Sequence, residues 1–216
     1  MADKKAARQP AGTAGGGLAR IVPAQKRSQE RFERILESAA DILAEKGGDA
    51  FRMSDVVERS GIAFGSLYQY FPDKTAIIGT LAERYNTIGR DCVQRDLAAV
   101  QSPADLHPAL CRIVDSYYEM FVHEPVMRDI WHATQADRAL QKLDAEDVDV
   151  LSGLLSDALR RIAPGTAEAA LTAFSQLTMT LIAAAIRHAI GLQPRQARRL
   201  LTLFKRMLPQ DLAALS

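Results

Sequence analysis

The chain has 216 residues, of which 48% are hydrophobic and 25% charged, with a formal net charge of +1. That length and apolar content exclude wholesale disorder and leave room for one large or two small cores. A net charge so near zero does not mark a polyanion binder; the distribution of charge says more.

Met1 to Arg31 holds seven basic residues against two acidic ones, so a surplus of +5 sits there and −4 falls on the remainder. A basic arm on a mildly acidic body points to a negative surface met at the N-terminal end. Residues 1–25 are rich in Ala, Gly and Pro without periodicity and read as a flexible arm. The run "GTAGGG" within them has no Gly-Lys-Ser/Thr and follows no strand, so it is not a phosphate loop. The N-terminus lacks the apolar core of a secretory signal. Cys92 and Cys111 fit neither metal spacing nor a C-x-x-C pair, which reads as a reducing, cytoplasmic protein.

Ser28 is the expected cap of a first helix, with Phe32, Ile35, Leu36, Ala39 and Leu43 at helical spacing until "KGG" at Lys46 to Gly48. A short helix follows over Ser54 to Ser60, Gly61 turns the chain, and a third helix runs from Phe64 to Tyr70. Pro72-Asp73 ends it, and Asp73 is placed to cap a long fourth helix reaching about Val100. "QSP" at Gln101 to Pro103 breaks the pattern. A fifth helix then carries Leu106, Leu110, Ile113, Tyr117 and Phe121. A sixth spans Val126 to Asp137, a seventh starts at Asp144, an eighth covers Thr166 to Ile190, and a ninth starts at Pro194. The eighth is uncharged from Ala169 to Ile186, approaching transmembrane length. Its Thr, Ser and Gln residues favour instead a helix buried on most sides in a protein without a membrane partner. No period-2 strand is found, so the fold class is all-α.

Two short helices about a glycine turn form a helix-turn-helix, whose second helix enters the DNA major groove. With Leu67 and Phe71 inward, Phe64, Ser66, Gln69 and Tyr70 fall on or near the open face. Gln69 has the donor and acceptor that match an adenine edge, and Phe64 can pack on a thymine methyl. Tyr68 and Tyr70 carry rigid rings with a terminal hydroxyl suited to a phosphate. Lys74 faces the positive end of its helix dipole, which is unfavourable unless a phosphate sits there.

The segment "RILESAADILAEKGGDAFRMSDVVERSGIAFGSLYQYFPDKTAII", Arg34 to Ile78, resembles the N-terminal domain of the TetR family of transcriptional regulators. Gly61, Gly65, Leu67-Tyr68 and Phe71-x-x-Lys74 carry the resemblance. It implies a homodimer with two DNA-reading domains and a helical domain that binds a small molecule. By position it assigns base or groove contacts to Ser54, Phe64, Ser66 and Gln69, and phosphate contacts to Tyr68, Tyr70 and Lys74. Three residues depart from the family pattern. Arg52 stands where Thr or Ser usually caps the brace helix, so it can reach a phosphate but not cap. Ala63 stands where Ser often caps the recognition helix, and Tyr70 where His is commoner.

The expected organisation is an arm over 1–25, a helix-turn-helix DNA-binding domain over 26–72, and a helical effector-binding and dimerisation domain over 73–216. Leu171, Phe174, Leu181, Ile182 and Ile186 of the eighth helix, with Leu200, Phe204 and Met207 of the ninth, are the candidates for a four-helix dimer interface. An effector pocket needs apolar walls with a few polar groups. Tyr117, Tyr118, Phe121, Trp131, Thr134, Gln135, Gln176, Met179 and Thr180 supply that mixture. The reading is a ligand-responsive repressor that binds a palindromic DNA operator as a dimer and is released by a small molecule. The alternative is a helical small-molecule-binding or interaction protein whose DNA binding is non-specific. No nucleophile–base pair or metal-ligand spacing is present, so no enzyme, cofactor or metal is expected.

Overall fold

The computed structural model describes residues 26–213, and the arm over 1–25 lies outside them. Helices in order are α1 (Lys26–Ala50), α2 (Met53–Ser60), α3 (Phe64–Tyr70), α4 (Lys74–Ala98), α5 (Pro103–His123), α6 (Val126–Ala136), α7 (Arg138–Ile162), α8 (Glu168–Ile190) and α9 (Pro194–Met207). Among the described residues there is no strand.

The N-terminal helices pack because α1 presents one apolar stripe. Phe32, Ile35, Leu36, Ala39, Ile42 and Leu43 are all buried at the i, i+3, i+4, i+7 spacing of a single helix face. Regular geometry stops at Gly47, whose φ of 71° and ψ of 172° lie where a side chain is strained. Gly61 ends α2 in the left-handed region, with its N–H donating to the Val57 carbonyl at 3.0 Å. At the same turn the Ser60 hydroxyl accepts from the Ile62 N–H at 3.3 Å. On the surface Arg59 clamps Glu45 with both guanidinium nitrogens, tying α2 to α1.

This core continues past α3. Ile77, Ile78 and Leu81 of α4, Ile130 of α6 and Leu140 of α7 join Phe51, Leu67 and Phe71 in one buried cluster. A second cluster, from Val93 to Leu208, is built from the rest of α4 with α5, α7, α8 and α9. The two clusters share α4 and α6–α7 as their connection. At the far end of α4, Arg161 donates to the Leu97 carbonyl at 2.9 Å, satisfying one of the acceptors that a helix end leaves open.

Three local expectations are corrected. Ser28 lies inside α1 rather than capping it, and its hydroxyl is bonded to Tyr70 at 2.7 Å. The seventh helix starts at Arg138, six residues before Asp144, because the Asp137 carboxylate accepts from the Ala139 and Leu140 N–H groups. Asp144 is left inside the helix with its side chain free for another use. Thirdly, α8 is not buried on most sides. By length and composition it is apolar enough to cross a membrane, yet only 33% of that stretch is buried. One face joins the core, while Leu177 and Leu181 stand out at 61% and 47% exposure.

Candidate functional site

Two places carry the functional residues. The first is the outer surface of α2, α3 and the start of α4. Arg52 precedes α2 in an extended conformation, exposed and without a side-chain capping bond. Ala63 likewise leaves α3 uncapped by any side chain. What holds α3 is its inner face, where Leu67 is fully buried. The opposite face is open: Phe64 and Tyr68 are about half exposed, Gln69 is exposed, and Ser66 is half-buried. Phe64 and Tyr68 stack with ring centroids 6.4 Å apart and planes 15° apart. They form a rigid aromatic ledge one helical turn long. Ser54 is exposed on α2. The Asp73 carboxylate accepts from the Ala76 N–H at 2.8 Å, and exposed Lys74 is the first residue of α4.

Tyr70 is the correction here. It was expected on the open face as a phosphate contact, but it is buried, edge-on to Phe32 at 6.2 Å, with its hydroxyl bonded to Ser28. A seven-residue helix has just two turns, and its last position rotates back towards α1. The ring therefore braces α1 against α3.

The second place is a cleft of about 890 Å³, counting its open mouth, between α4, α5, α6, α7 and α8. Its walls are largely apolar, from Phe121, Met127, Ile130, Leu151, Met179, Ile182 and Ile186 among others. Among these stand a few polar groups. The Arg90 Nε donates to Asp147 Oδ1 at 2.6 Å, and Arg90 also reaches Glu83 at 2.9 Å. Burial, opposed by that guanidinium, pushes the Asp147 carboxyl up to about 6. Arg187 lies 3.8 Å from Asp144. Tyr117 Oη and Trp131 Nε1 are buried without a partner among the described residues. Burial, with the nearby Asp147 charge adding to it, raises the Tyr117 hydroxyl well above the usual tyrosine range, so it stays protonated. The ring reaches its place because Gly89 has no side chain: a Cβ there would lie 2.6 Å from the hydroxyl.

An exposed reading face on a braced short helix, joined by one continuous helix to an apolar cleft, is the plan of a regulator. Residues 104–216 match the model described as "Tetracyclin repressor-like, C-terminal domain", and residues 35–81 match "Bacterial regulatory proteins, tetR family". The chain belongs to the TetR family of transcriptional regulators.

Among TetR-family relatives, the chain is 39% identical over 62 residues to the HTH-type transcriptional regulator YvdT of Bacillus subtilis, covering 29% of this chain and 32% of that protein. The alignment thus spans about a third of that relative's length. Among solved structures, a TetR-family transcriptional regulator from Pectobacterium atrosepticum has a TM-score of 0.66 at 17% identity, covering 86% of this chain and 96% of that one. FadR from Bacillus subtilis, in complex with stearoyl-CoA, has a TM-score of 0.60 at 16% identity, covering 86% and 98% respectively. At such identities the structural likeness speaks for the TetR fold alone.

The cleft gathers five of the nine residues expected for it: Tyr117, Phe121, Trp131, Thr134 and Met179. The other four are elsewhere. Tyr118 is buried in the C-terminal core, and Gln135, Gln176 and Thr180 face outward. Tyr85, Asn86, Asp144, Asp147 and Arg187 are cleft residues the sequence reading missed. A buried Asp or an Arg lining a cavity has no signature in a single sequence. Of the dimer candidates, Leu181 and Met207 are exposed, while Phe174, Leu200 and Phe204 are half-buried against the core. Leu171 is core, and Ile182 and Ile186 are buried in the cleft wall, so these three cannot face a partner. Leu177 and Leu203, on the same two helices, stand outward at 61% and 60% exposure.

Proposed function

We propose that this chain is a DNA-binding repressor of the cytoplasm, acting as a homodimer on a palindromic operator and released from it by a small molecule bound in the helical cleft. The observation that carries this reading is the exposed Phe64–Tyr68–Gln69 face of α3, flanked by Arg52, Ser54 and Lys74. In this reading Gln69, Phe64, Ser66 and Ser54 meet base edges, while Tyr68, Lys74 and Arg52 hold phosphates. Residues 26–72 read DNA and 73–216 bind the effector and the partner subunit. The name of the C-terminal family model supports the repressor sense, and a fold neighbour described with stearoyl-CoA supports a ligand site in this fold. The chain works by binding, not by catalysis.

The exposed Leu177, Leu181, Leu203 and Met207 on α8 and α9 support a four-helix dimer. Two such protomers present recognition helices to half-sites about one turn, roughly 34–36 Å, apart. Release follows from shared elements. Along α4, Lys74 and cleft residue Tyr85 lie eleven positions apart, about 16 Å at 1.5 Å per residue. In α6, Trp131 and Thr134 line the cleft while Ala133 packs on Gly48 of α1. A ligand that favours one arrangement of α4 and α6 shifts the spacing of the two reading heads.

The test is fluorescence anisotropy on DNA from upstream of the protein's own gene, against a scrambled duplex at fixed salt. A strong preference for the first, weakened at least tenfold in Tyr68→Ala and in Lys74→Ala, is the expected result. Equal binding to both duplexes by all three proteins would remove the operator-specific reading. Sedimentation of Leu177→Glu checks the dimer, with monomer expected.

A further inference from the structure

We propose that the effector of the cleft is an uncharged, mainly apolar molecule carrying a hydrogen-bond-accepting oxygen, such as a ketone or lactone carbonyl, held between Tyr117 Oη and Trp131 Nε1. This rests on the reading of the cleft as the effector site and specifies its ligand.

Two residues that line this apolar cleft carry buried donors without a partner among the described residues. An indole N–H can only donate, and a tyrosine held protonated by burial can donate as well. Buried groups of this kind are normally paired, and leaving them open is costly unless something else completes them. Ser156 and Ser175 also hold unpartnered hydroxyls, but neither lines the cleft, so they carry no part of this inference. Mid-helix Gly89 serves the same arrangement, since its missing Cβ is what admits the Tyr117 hydroxyl. Thr134, by contrast, spends its hydroxyl on the Trp131 carbonyl at 2.7 Å and offers the ligand no donor.

Charge decides the rest. The cleft carboxylates already have guanidinium partners, Asp147 with Arg90 and Asp144 with Arg187. Behind the wall Glu83 also shares Arg90, so the two lining carboxylates, Asp144 and Asp147, leave no guanidinium free. An anionic ligand would enter a site with no cation to spare. A protonated amine carries no acceptor: the Tyr117 oxygen could take one of its N–H groups, but the Trp131 N–H, which only donates, would stay unpaired. A pure hydrocarbon fills the walls but leaves both donors open. A neutral acceptor satisfies every term.

The chain has one tryptophan, Trp131, so its emission reports on this wall alone. The full-length protein is titrated with four probes on one skeleton: 1-decalone, decalin, decalin-1-carboxylate and 1-aminodecalin. Calorimetry serves as a second readout. We expect the ketone to shift Trp131 emission and to bind at least tenfold tighter than each of the others. Tyr117→Phe should lower ketone affinity about tenfold, leave decalin affinity unchanged and leave the melting temperature of the free protein equal or higher. Trp131→Phe, followed by calorimetry, should lower ketone affinity similarly. Tightest binding of the carboxylate or the ammonium, or equal binding of all four, overturns the acceptor inference and leaves an effector cleft in place. If no probe shifts emission or releases heat, the effector reading of the cleft falls with it. Specific DNA binding, measured separately, is untouched by either outcome.

Discussion

The helix-turn-helix region and the cleft solve the problem of polar groups in opposite ways. Around α1–α4, although α2 and α3 start without side-chain caps, the polar side chains that turn inward or cap have partners in the chain itself: Tyr70 pairs with Ser28, Ser60 with the Ile62 N–H, and Asp73 with the Ala76 N–H. Among the described residues, all four buried side-chain polar atoms without a partner lie in α5–α8. A surface that reads DNA can be finished before the DNA arrives, because its contacting groups are hydrated until they are used. If the cleft encloses the effector, as proposed, Tyr117 Oη and Trp131 Nε1 are the donors left for it.

That contrast can be broken where the two regions touch. A Cβ added at Gly48 would lie 2.8 Å from the Ala133 Cβ, a methyl with no rotamer to escape into. Gly48→Ala should therefore force α1 from α6 and cost about 1–3 kcal/mol, read as a lower urea midpoint. It should also loosen the link between the cleft and the reading head, seen as DNA binding less sensitive to effector.

A smaller effect sharpens the contrast from the cleft side. With its carboxyl raised to about 6, folded Asp147 keeps a proton that the unfolded chain releases between about pH 4 and pH 6. Its contribution to stability is therefore fully present at low pH and lost as pH rises through that window. At neutral pH the charged form is a standing cost. The group should add about 1 kcal/mol of stability on going from pH 7 to pH 5. Asp147→Asn should flatten that slope, and urea midpoints at the two pH values measure it. Arg90 keeps Glu83 as its partner in the variant.

The smallest effect tests the closed side. Tyr70→Phe removes only the bond to Ser28 and keeps the ring against Phe32. A loss of about 0.5–1.5 kcal/mol in stability is expected, with DNA affinity within twofold of the unsubstituted protein. A tenfold loss of DNA affinity would return Tyr70 to the phosphate-contacting set.

Among the described residues the helices were legible because most have a clear apolar period and a Gly or Pro stop, as at Gly61, Pro72, Pro125 and Gly191, and the family was legible from the stretch between Arg34 and Ile78. Boundaries slipped where a local cap competed with periodicity, as at Asp137, whose carboxylate starts α7 six residues early. Orientation at the tip of a short helix was not legible either, as Tyr70 demonstrates. Periodicity identifies which positions share a face but not whether that face meets a core, a cleft or open solvent. Ile182 and Ile186 share a stripe suited equally to a partner helix and a cavity wall, and only packing chose the wall.

The sequence by itself determined the all-helical fold, the helix-turn-helix and the exposure of Phe64, Tyr68 and Gln69 on its second helix, because these depend on spacing within some twenty residues. Only the tertiary structure decided which polar side chains meet in the cleft. Asn86, Tyr117, Trp131, Asp147 and Arg187 come from five different helices. Their convergence, and the two donors left without partners, depend on distances that no local pattern encodes.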